Sequence, residues 1–171
     1  MVYDGVTIDE RICRFVSFGN TIKVKKVAAD VKIPTRGSDF AAGYDLYAHS
    51  YEGADVQDWS VIIPPGTSMK IGTGIMIEIP EGYFGGVYPR SGLATKQGLA
   101  PANKVGVIDS DYRGELIVCL YNQSSIPQTV NKGDRIAQLI VQPYYDYEWE
   151  EVEELNETNR GDGGFGSTGT A

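Results

Sequence analysis

The segment of residues 61–89 constrains the fold more than any other stretch of this sequence. It reads VIIPPGTSMKIGTGIMIEIPEGYFGGVYP, in which short apolar or alternating runs are separated by PPG, GTG and PEG. Glycine and proline in such triplets mark turns, and the runs between them are typical of short strands. Similar runs occur at IKVKKV (22–27), VGVID, GELIVCLYN and RIAQLIVQP. Many short strands with Gly/Pro turns predict an all-β sandwich, barrel or jelly roll.

Three stretches depart from this pattern. SGLATKQG (91–98) predicts one short helix, with Ser91 as its candidate N-cap. YDYEWEEVEELNE (145–157) is acidic, and its period leaves an edge strand and a helical turn open, with a solvated charged face as the simplest interpretation. YEGADVQDW (51–59) reads as a polar surface loop. We expect an N-terminal extension of open role at 1–20, a β domain at 21–144 and a C-terminal arm at 145–171.

The composition excludes several classes of function. The 171 residues suggest one domain, and the net charge of −8 comes with no basic stripe, so a nucleic acid polymer is not an expected partner. An anionic small molecule remains open, because a few local donors or a bound cation can override the global charge. No apolar run approaches the roughly 20 residues that span a bilayer, so no membrane partner is expected, and no secretion signal is evident. Cys13, Cys119 and the single histidine, His49, form neither a disulfide framework nor a zinc set, which favours an intracellular setting.

The stretch RGDGGFGSTG (160–169) contains the elements of a phosphate and base site. It satisfies G-x-G-x-x-G, but only five residues follow that pattern, so we expect no helix to complete a dinucleotide site. Glycines let backbone N–H groups approach an anion, and Arg160 offers a planar cation to phosphate oxygens. Ser167 and Thr168 add hydroxyl donors, and Phe165 could stack on a planar ring. A disordered Gly/Ser tail is the alternative interpretation.

Two further motifs carry polar groups at expected turns. In PRSGLA (89–94), unpaired N–H groups at a helix start could face an anion, or the motif is a capped surface turn. In NKVGVIDSDYRGELIV (103–118), two β-like arms flank a bend that carries Asp109, Asp111 and Tyr112. An ionised aspartate there could orient a water molecule and accept its proton, or the segment is a hairpin with ordinary turn aspartates.

Two more motifs place one polar residue each among apolar ones. AAGYDLYA (41–48) contains Asp45, whose carboxylate would need partners if it is buried, or the motif is a strand with one inward polar residue. GDRIAQLIV (133–141) is a predicted strand in which Gln138 is more typical of a satisfied core amide than of a ligand.

The ordered set AAGYDLYA, PRSGLA, GVIDSDYRGEL, GDRIAQLIV and RGDGGFGSTG resembles the five motifs of the trimeric dUTP diphosphatases (dUTPases), over roughly residues 22–169. The resemblance implies a jelly-roll-like fold with a flexible C-terminal arm, assembled as a homotrimer whose three active sites are each built from three subunits. It implies hydrolysis of dUTP to dUMP and pyrophosphate by water attack on the α-phosphorus. That reaction limits uracil in DNA and supplies dUMP for thymidylate synthesis.

The resemblance also assigns roles to residues of this chain. Asp109 corresponds to the carboxylate that activates water, and Tyr112 to the aromatic ring under the deoxyribose. Asp45 corresponds to a supporting carboxylate near the phosphates. The uracil pocket corresponds to Asn103, Gly106, Val107 and Ile108, the phosphate contacts to Arg90, Ser91, Gly92 and Gln138, and the closing tail to Arg160, Phe165, Gly166, Ser167 and Thr168.

The family uses Mg²⁺ held mainly by phosphates and waters, which suits an ion that keeps its waters, so no direct protein ligand is expected. Two other functions stay open. A dCTP deaminase shares the fold, but it needs a carboxylate beside the pyrimidine, where this sequence offers mainly backbone and apolar residues. A nucleotide-sensing regulatory protein would use the same site, with residues 1–20 and 51–59 as candidate contact surfaces.

Overall fold

The structure is a computed structural model, and it describes residues 2–3, 6–7, 21–51 and 58–164. In these residues the backbone forms fifteen strands and one helix. In chain order they are β1 (Val2–Tyr3), β2 (Val6–Thr7), β3 (Lys23–Lys26), β4 (Thr35–Arg36), β5 (Tyr44–Tyr47), β6 (Ser50–Tyr51), β7 (Ser60–Ile63), β8 (Ser68–Gly72), β9 (Ile75–Glu78), β10 (Tyr83–Tyr88), α1 (Ser91–Gln97), β11 (Leu99–Pro101), β12 (Gly106–Ile108), β13 (Ile117–Asn122), β14 (Gln128–Asn131) and β15 (Arg135–Pro143).

The turn triplets of residues 61–89 separate four strands, β7 to β10, as the sequence predicts. Gly66 and Gly82 end the first and third triplets with φ angles of 72° and 84°. A side chain is strained in that left-handed region, so glycine is the residue that lets the chain reverse there. The predicted strands IKVKKV, VGVID, GELIVCLYN and RIAQLIVQP correspond to β3, β12, β13 and β15.

All strand pairs are antiparallel, and two sheets dominate the described residues. The larger has the order β12-β10-β15-β5-β4, and the smaller has the order β11-β13-β8-β6. Leu46 and Leu139 from the first sheet and Ile71 and Leu120 from the second belong to one cluster of buried side chains. The core therefore lies between two sheets with open edges, which confirms the all-β, jelly-roll-like sandwich and leaves each sheet unclosed.

The segment of residues 103–118 does not form a hairpin. Its first arm, β12, pairs with β10, whereas its second arm, β13, pairs with β8 and β11. The bend between Asp109 and Leu116 carries the chain from one sheet to the other, so the hairpin interpretation is wrong.

The helix begins one residue earlier than an N-cap at Ser91 would imply. Arg90 is the N-cap, with φ −89° and ψ 128° and no side-chain cap hydrogen bond, and Ser91 is already helical. Ser91 as N-cap is therefore wrong; its carbonyl instead accepts a hydrogen bond from Thr95 Oγ1 at 2.7 Å. Gly98 ends the helix with φ 68°.

Residues 145–157 contain neither of the two elements that their period left open. They are irregular and exposed, as expected of a solvated charged face, and Trp149 is 98% exposed in the single chain. In the described part of the chain, no helix has the length and apolar character needed to cross a membrane.

Strand β7 offers a matched test of the core. Ile63 is fully buried between the sheets, and its neighbour Ile62 is 60% exposed on the opposite face. We expect Ile63→Ala to lower the free energy of unfolding by about 2–5 kcal/mol, because it removes buried methyl groups and leaves a cavity. Ile62→Ala should change it by less than about 0.5 kcal/mol. Denaturant unfolding of both variants measures the difference, and equal effects would contradict the assigned register.

Candidate functional site

Asp45 lies on β5 and holds two arginines, one on each carboxylate oxygen. Arg90 Nε donates to Oδ1 at 2.7 Å, and Arg135 Nη1 donates to Oδ2 at 3.2 Å. The Asp45 side chain is 12% exposed, the Arg90 side chain 25% and the Arg135 side chain 51%. Charge-assisted hydrogen bonds of this kind satisfy a largely buried carboxylate and fix the direction of both guanidinium groups. The sequence predicts that a buried Asp45 needs partners, and these arginines are the partners.

The two arginines open onto a polar cleft of about 360 Å³ beside helix α1. Gln97 and Asn131 also line this cleft. Asp134 also lines the cleft, so the charges of the two guanidinium groups are balanced by two carboxylates, Asp45 and Asp134. The feature that suits a phosphate here is therefore the directed N–H donors of the arginines rather than a net positive charge.

Gln138 lies beside Asp45, its partner in the ladder between β15 and β5. Its Nε2 donates to the Pro89 carbonyl at 2.9 Å, immediately before Arg90. A Cβ on Gly43 would overlap Gln138 Oε1, so glycine at that position leaves room for the amide. Within this chain Gln138 is therefore a hydrogen-bonded amide, as the sequence indicates. It also lies next to the arginine pair.

Strand β12 is an edge strand of the larger sheet. Gly106 is buried against Val87, and a Cβ on it would lie 3.2 Å from Asn103 Nδ2. Val107 is 61% exposed, and Asn103 is exposed in the turn before the strand. The outer edge of β12 therefore presents backbone donors and acceptors that no strand of this sheet uses.

Asp109 and Tyr112 lie in the bend that follows β12. The Tyr112 N–H donates to the Asp109 carbonyl at 3.2 Å, which makes a tight turn. The Asp109 side chain is exposed, and Tyr112 is 43% exposed. Both side chains are therefore accessible to a ligand at the edge of the sheet.

The register of β10 separates these two halves of the site. Ile108 pairs with Gly85, so Asp109 lies next to the start of β10, whereas Arg90 follows its end. At about 3.3 Å per residue, the five residues from Gly85 to Arg90 span roughly 16 Å, and β12 runs away from Arg90. Arg90, Gln138 and Asp45 are thus brought together, and Asp109 and Tyr112 are not brought to them within one chain.

The C-terminal stretch is described as far as Gly164. Arg160 is exposed and its Nε donates to the Gly163 carbonyl at 2.8 Å, in a turn that includes Gly161 at φ 52°. This hydrogen bond is local and joins Arg160 to neither Asp45 nor the arginine pair. Phe165, Gly166, Ser167 and Thr168 lie outside the described residues, as do 8–20 and most of the 51–59 loop.

Two residues with contacts to the site are missed by the sequence reasoning. Arg135 shares Asp45 with Arg90, and Glu115 accepts a hydrogen bond from the Gly74 N–H at 2.7 Å. Arg135 lies inside the motif GDRIAQLIV and Glu115 inside GVIDSDYRGEL, but only the contacts in the structure identify their partners. Among the described residues, no group of three His, Cys, Asp or Glu side chains could hold a metal ion.

The fold and the site define the chain first as an all-β protein with a candidate site for a phosphorylated ligand. The family model described as dUTPase matches residues 29–169. A deoxyuridine 5'-triphosphate nucleotidohydrolase of Syntrophotalea carbinolica is 46% identical over 149 residues, which cover 87% of this chain and 97% of that protein. The chain belongs to the dUTPase family, as its five motifs predict.

Solved structures agree with this family. A glycine-to-serine mutant of the Staphylococcus bacteriophage 80alpha dUTPase, solved with dUpNHpp, has a TM-score of 0.76 and 28% identity to this chain. The match covers 88% of this chain and 99% of the phage protein. An aspartate-to-asparagine mutant of a dUTPase from phage phi11 of S. aureus, described with a structural Mg(II) ion, has a TM-score of 0.65 and 26% identity to this chain. The match covers 80% of this chain and 99% of the phage protein.

Proposed function

We propose that this chain hydrolyses dUTP to dUMP and pyrophosphate by attack of water on the α-phosphorus. The observation that carries the proposal is the match to a deoxyuridine 5'-triphosphate nucleotidohydrolase over 97% of that relative's length, at 46% identity. The geometry supports the proposal by offering a separate group for each part of this substrate.

The base and the sugar are assigned to the edge of the larger sheet. In the strand Gly106, Val107 and Ile108, backbone groups alternate between the partner strand β10 and the outer edge. The outward groups would pair with the polar edge of uracil, with Asn103 at the turn. Close packing of the base against this backbone would leave no room for the methyl group of thymine. The half-exposed ring of Tyr112 would lie under the deoxyribose and exclude a 2′-hydroxyl.

The phosphates are assigned to the arginine pair. Arg90 is oriented by Asp45 and lies at the start of helix α1, where the N–H groups of Ser91 and Gly92 face outward without helical partners. Gln138 is adjacent to Pro89 and completes this surface. Positioning and charge neutralisation are the main requirements of phosphoryl chemistry, and these groups supply both.

Asp109 is assigned to the water. Its side chain is exposed, so its carboxylate oxygens are accessible to an attacking water molecule and would accept a proton from it. Its place after β12, next to the base-binding edge, allows it to face the α-phosphate of a nucleotide bound there.

The separation of Asp109 from Arg90 supports a shared site in a homotrimer. Because the two residues lie at opposite ends of β10, a nucleotide at Asp109 of one protomer would meet Arg90 of a neighbouring protomer. We further propose that the arm of residues 145–171 reaches a site between other protomers. There Arg160, Phe165, Gly166, Ser167 and Thr168 would close over the base and the γ-phosphate. The domain division at residues 20 and 144 belongs to the same proposal.

A mixing experiment tests the shared site. Asp109→Asn and Arg90→Gln chains should each be nearly inactive, and unfolding and refolding a 1:1 mixture should restore about a quarter of the sites, since each needs one intact residue from each of two neighbours. Refolding each variant alone is the control. No recovery in the mixture, with trimers formed, would place both residues of a site in one chain.

Mg²⁺ is part of the proposal. Both oxygens of Asp45 already accept from arginines, and no metal-binding cluster occurs in the described residues, so the triphosphate and water molecules would hold the ion. When bound, it would neutralise phosphate charge, and Asp45 would support it only through the arginines. The chain would act on free nucleotides inside the cell, which agrees with the free thiol of Cys119.

The decisive assay is pyrophosphate release from dUTP, UTP, dTTP and dCTP, with and without Mg²⁺. We expect Mg²⁺-dependent release of pyrophosphate from dUTP. The kcat/KM should be at least about 100-fold lower for the other three nucleotides, because the site would bind their transition states poorly. Ammonia release from dCTP would support the deaminase instead. Binding of dUTP without turnover would favour the regulatory protein.

A further inference from the structure

We infer that Glu115 is a positioning residue that fixes the ring of Tyr112 and thereby sets the discrimination between deoxyribose and ribose nucleotides. The inference rests on the proposed function, because it assigns a role to a residue that acts through the proposed sugar-contacting ring. Glu115 itself is half-buried, and its carboxylate is directed to the Gly74 N–H.

Tyr112 is held by the backbone of Gly114 and Glu115, shortly before β13. Its Oη donates to the Glu115 carbonyl at 3.0 Å. Its ring covers Gly114 so closely that a Cβ there would overlap Oη and Cζ. The ring therefore cannot sink towards Gly114, and its tip is tied to Glu115.

The Glu115 side chain ties this backbone to the core. Its Oε1 accepts from the buried N–H of Gly74 at 2.7 Å, in the turn between β8 and β9. Gly72 leaves the space for this carboxylate, because a Cβ there would lie 2.5 Å from Oε1. A buried N–H that lost this acceptor would be left unsatisfied, so the contact resists opening.

The next residue secures the same connection. The Leu116 carbonyl accepts from Thr73 N at 3.1 Å and from Thr73 Oγ1 at 2.7 Å, and the Leu116 N–H donates to Ile75 at 2.9 Å. The end of the bend is thus attached to the buried turn at several points. Tyr112 lies in the exposed middle of the bend, and its hydroxyl group is joined to this attached end through Glu115.

This arrangement bears on selectivity because the ring would exclude a hydroxyl group by occupying its space. Exclusion of one oxygen atom requires that the ring stays in place to within a fraction of an ångström. A loosened ring could move aside for UTP, whereas dUTP needs no such movement. Loss of Glu115 should therefore raise activity on UTP relative to dUTP.

The experiment compares kcat/KM for dUTP and UTP in the wild type, Glu115→Gln, Glu115→Ala and Tyr112→Phe. Glutamine keeps an Oε1 acceptor for Gly74 and should retain the wild-type ratio. Alanine leaves the Gly74 N–H without an acceptor and should lower the dUTP/UTP ratio about tenfold. Tyr112→Phe removes the hydroxyl that contacts Glu115, and should lower the ratio about threefold.

The double variant Tyr112→Phe/Glu115→Ala separates positioning from a merely structural role. If Glu115 acts through the ring, its effect on the ratio should be smaller in the phenylalanine background, so the two changes should not be additive. Additive effects, an unchanged ratio in Glu115→Ala, or equal losses for both substrates would overturn the inference. A Glu115→Gln protein that behaves like Glu115→Ala would also overturn it.

The wild type distinguishes failure of this inference from failure of the proposed function. A wild type that releases no pyrophosphate from dUTP refutes the proposed function, and the inference with it. A wild type that rejects UTP, together with a Glu115→Ala variant that rejects it equally well, refutes the inference alone. Thermal unfolding of each variant shows whether Glu115→Ala is folded at the assay temperature, and Glu115→Gln supplies the comparison if it is not.

Discussion

Asp109→Asn should lower kcat for dUTP by about 10²–10⁴, because it removes the general base and almost no volume. The affinity for dUpNHpp should stay within about threefold of wild type, since the proposed base, sugar and phosphate contacts come from other residues. Asp109 is exposed after β12, so the substitution places no unpaired group in the core. Steady-state pyrophosphate release and calorimetric titration measure the two quantities.

Asp111→Asn is the matched control for this result. Asp111 lies two residues further along the same bend and is also exposed, so the substitution removes the same charge from nearly the same place. We expect kcat within about threefold of wild type for it, as for most surface substitutions. Near-normal turnover in Asp109→Asn, or an equal loss in Asp111→Asn, would refute the assigned role.

Truncation after Glu157 should remove most of the activity and leave the fold intact. Among the described residues the buried cluster extends from Val31 to Leu139, and residues 158–162 of the deleted stretch are exposed, so we expect this core to survive the deletion. The deletion removes Arg160 and the glycine-rich stretch, and we expect kcat to fall at least about 100-fold, because closure over the substrate is lost.

Deletion of residues 170–171 alone is the control, since it keeps RGDGGFGSTG and should retain full activity. The melting temperature of both truncated proteins should lie within about 3 °C of the full chain, as a change of less than 1 kcal/mol implies for a chain of this size. A truncation after Glu157 with full kcat would mean that the glycine-rich stretch is a passive tail.

Local sequence signals account for most of the fold. The triplets ending at Gly66 and Gly82 predict turns because few other residues adopt a positive φ, and the structure has turns there. The helix is likewise predicted from local residues, SGLATKQG, but its N-cap is Arg90 rather than Ser91. The guanidinium of Arg90 is directed by Asp45, 45 residues away, and no local pattern contains that information.

The pairing of β12 and β13 marks the limit of sequence reasoning. Two β-like arms separated by a bend suggest a hairpin, because sequential strands usually pair. Here the bend crosses between the sheets, and the choice depends on which apolar faces meet in the core. The contacts of Arg135 and Glu115 are likewise long-range. The motifs contain both residues, but no local pattern predicts that their partners are Asp45 and Gly74.

The length of β10 has a consequence for how the protein responds to dilution. If Asp109 and Arg90 cannot meet in one chain, the catalytic unit is the assembly, and specific activity follows the law of mass action for subunit association. Activity should then fall as the protein is diluted below the dissociation constant of the assembly, while the circular dichroism spectrum still shows folded chains. A strand of six residues would thus make enzyme concentration itself a regulator of turnover.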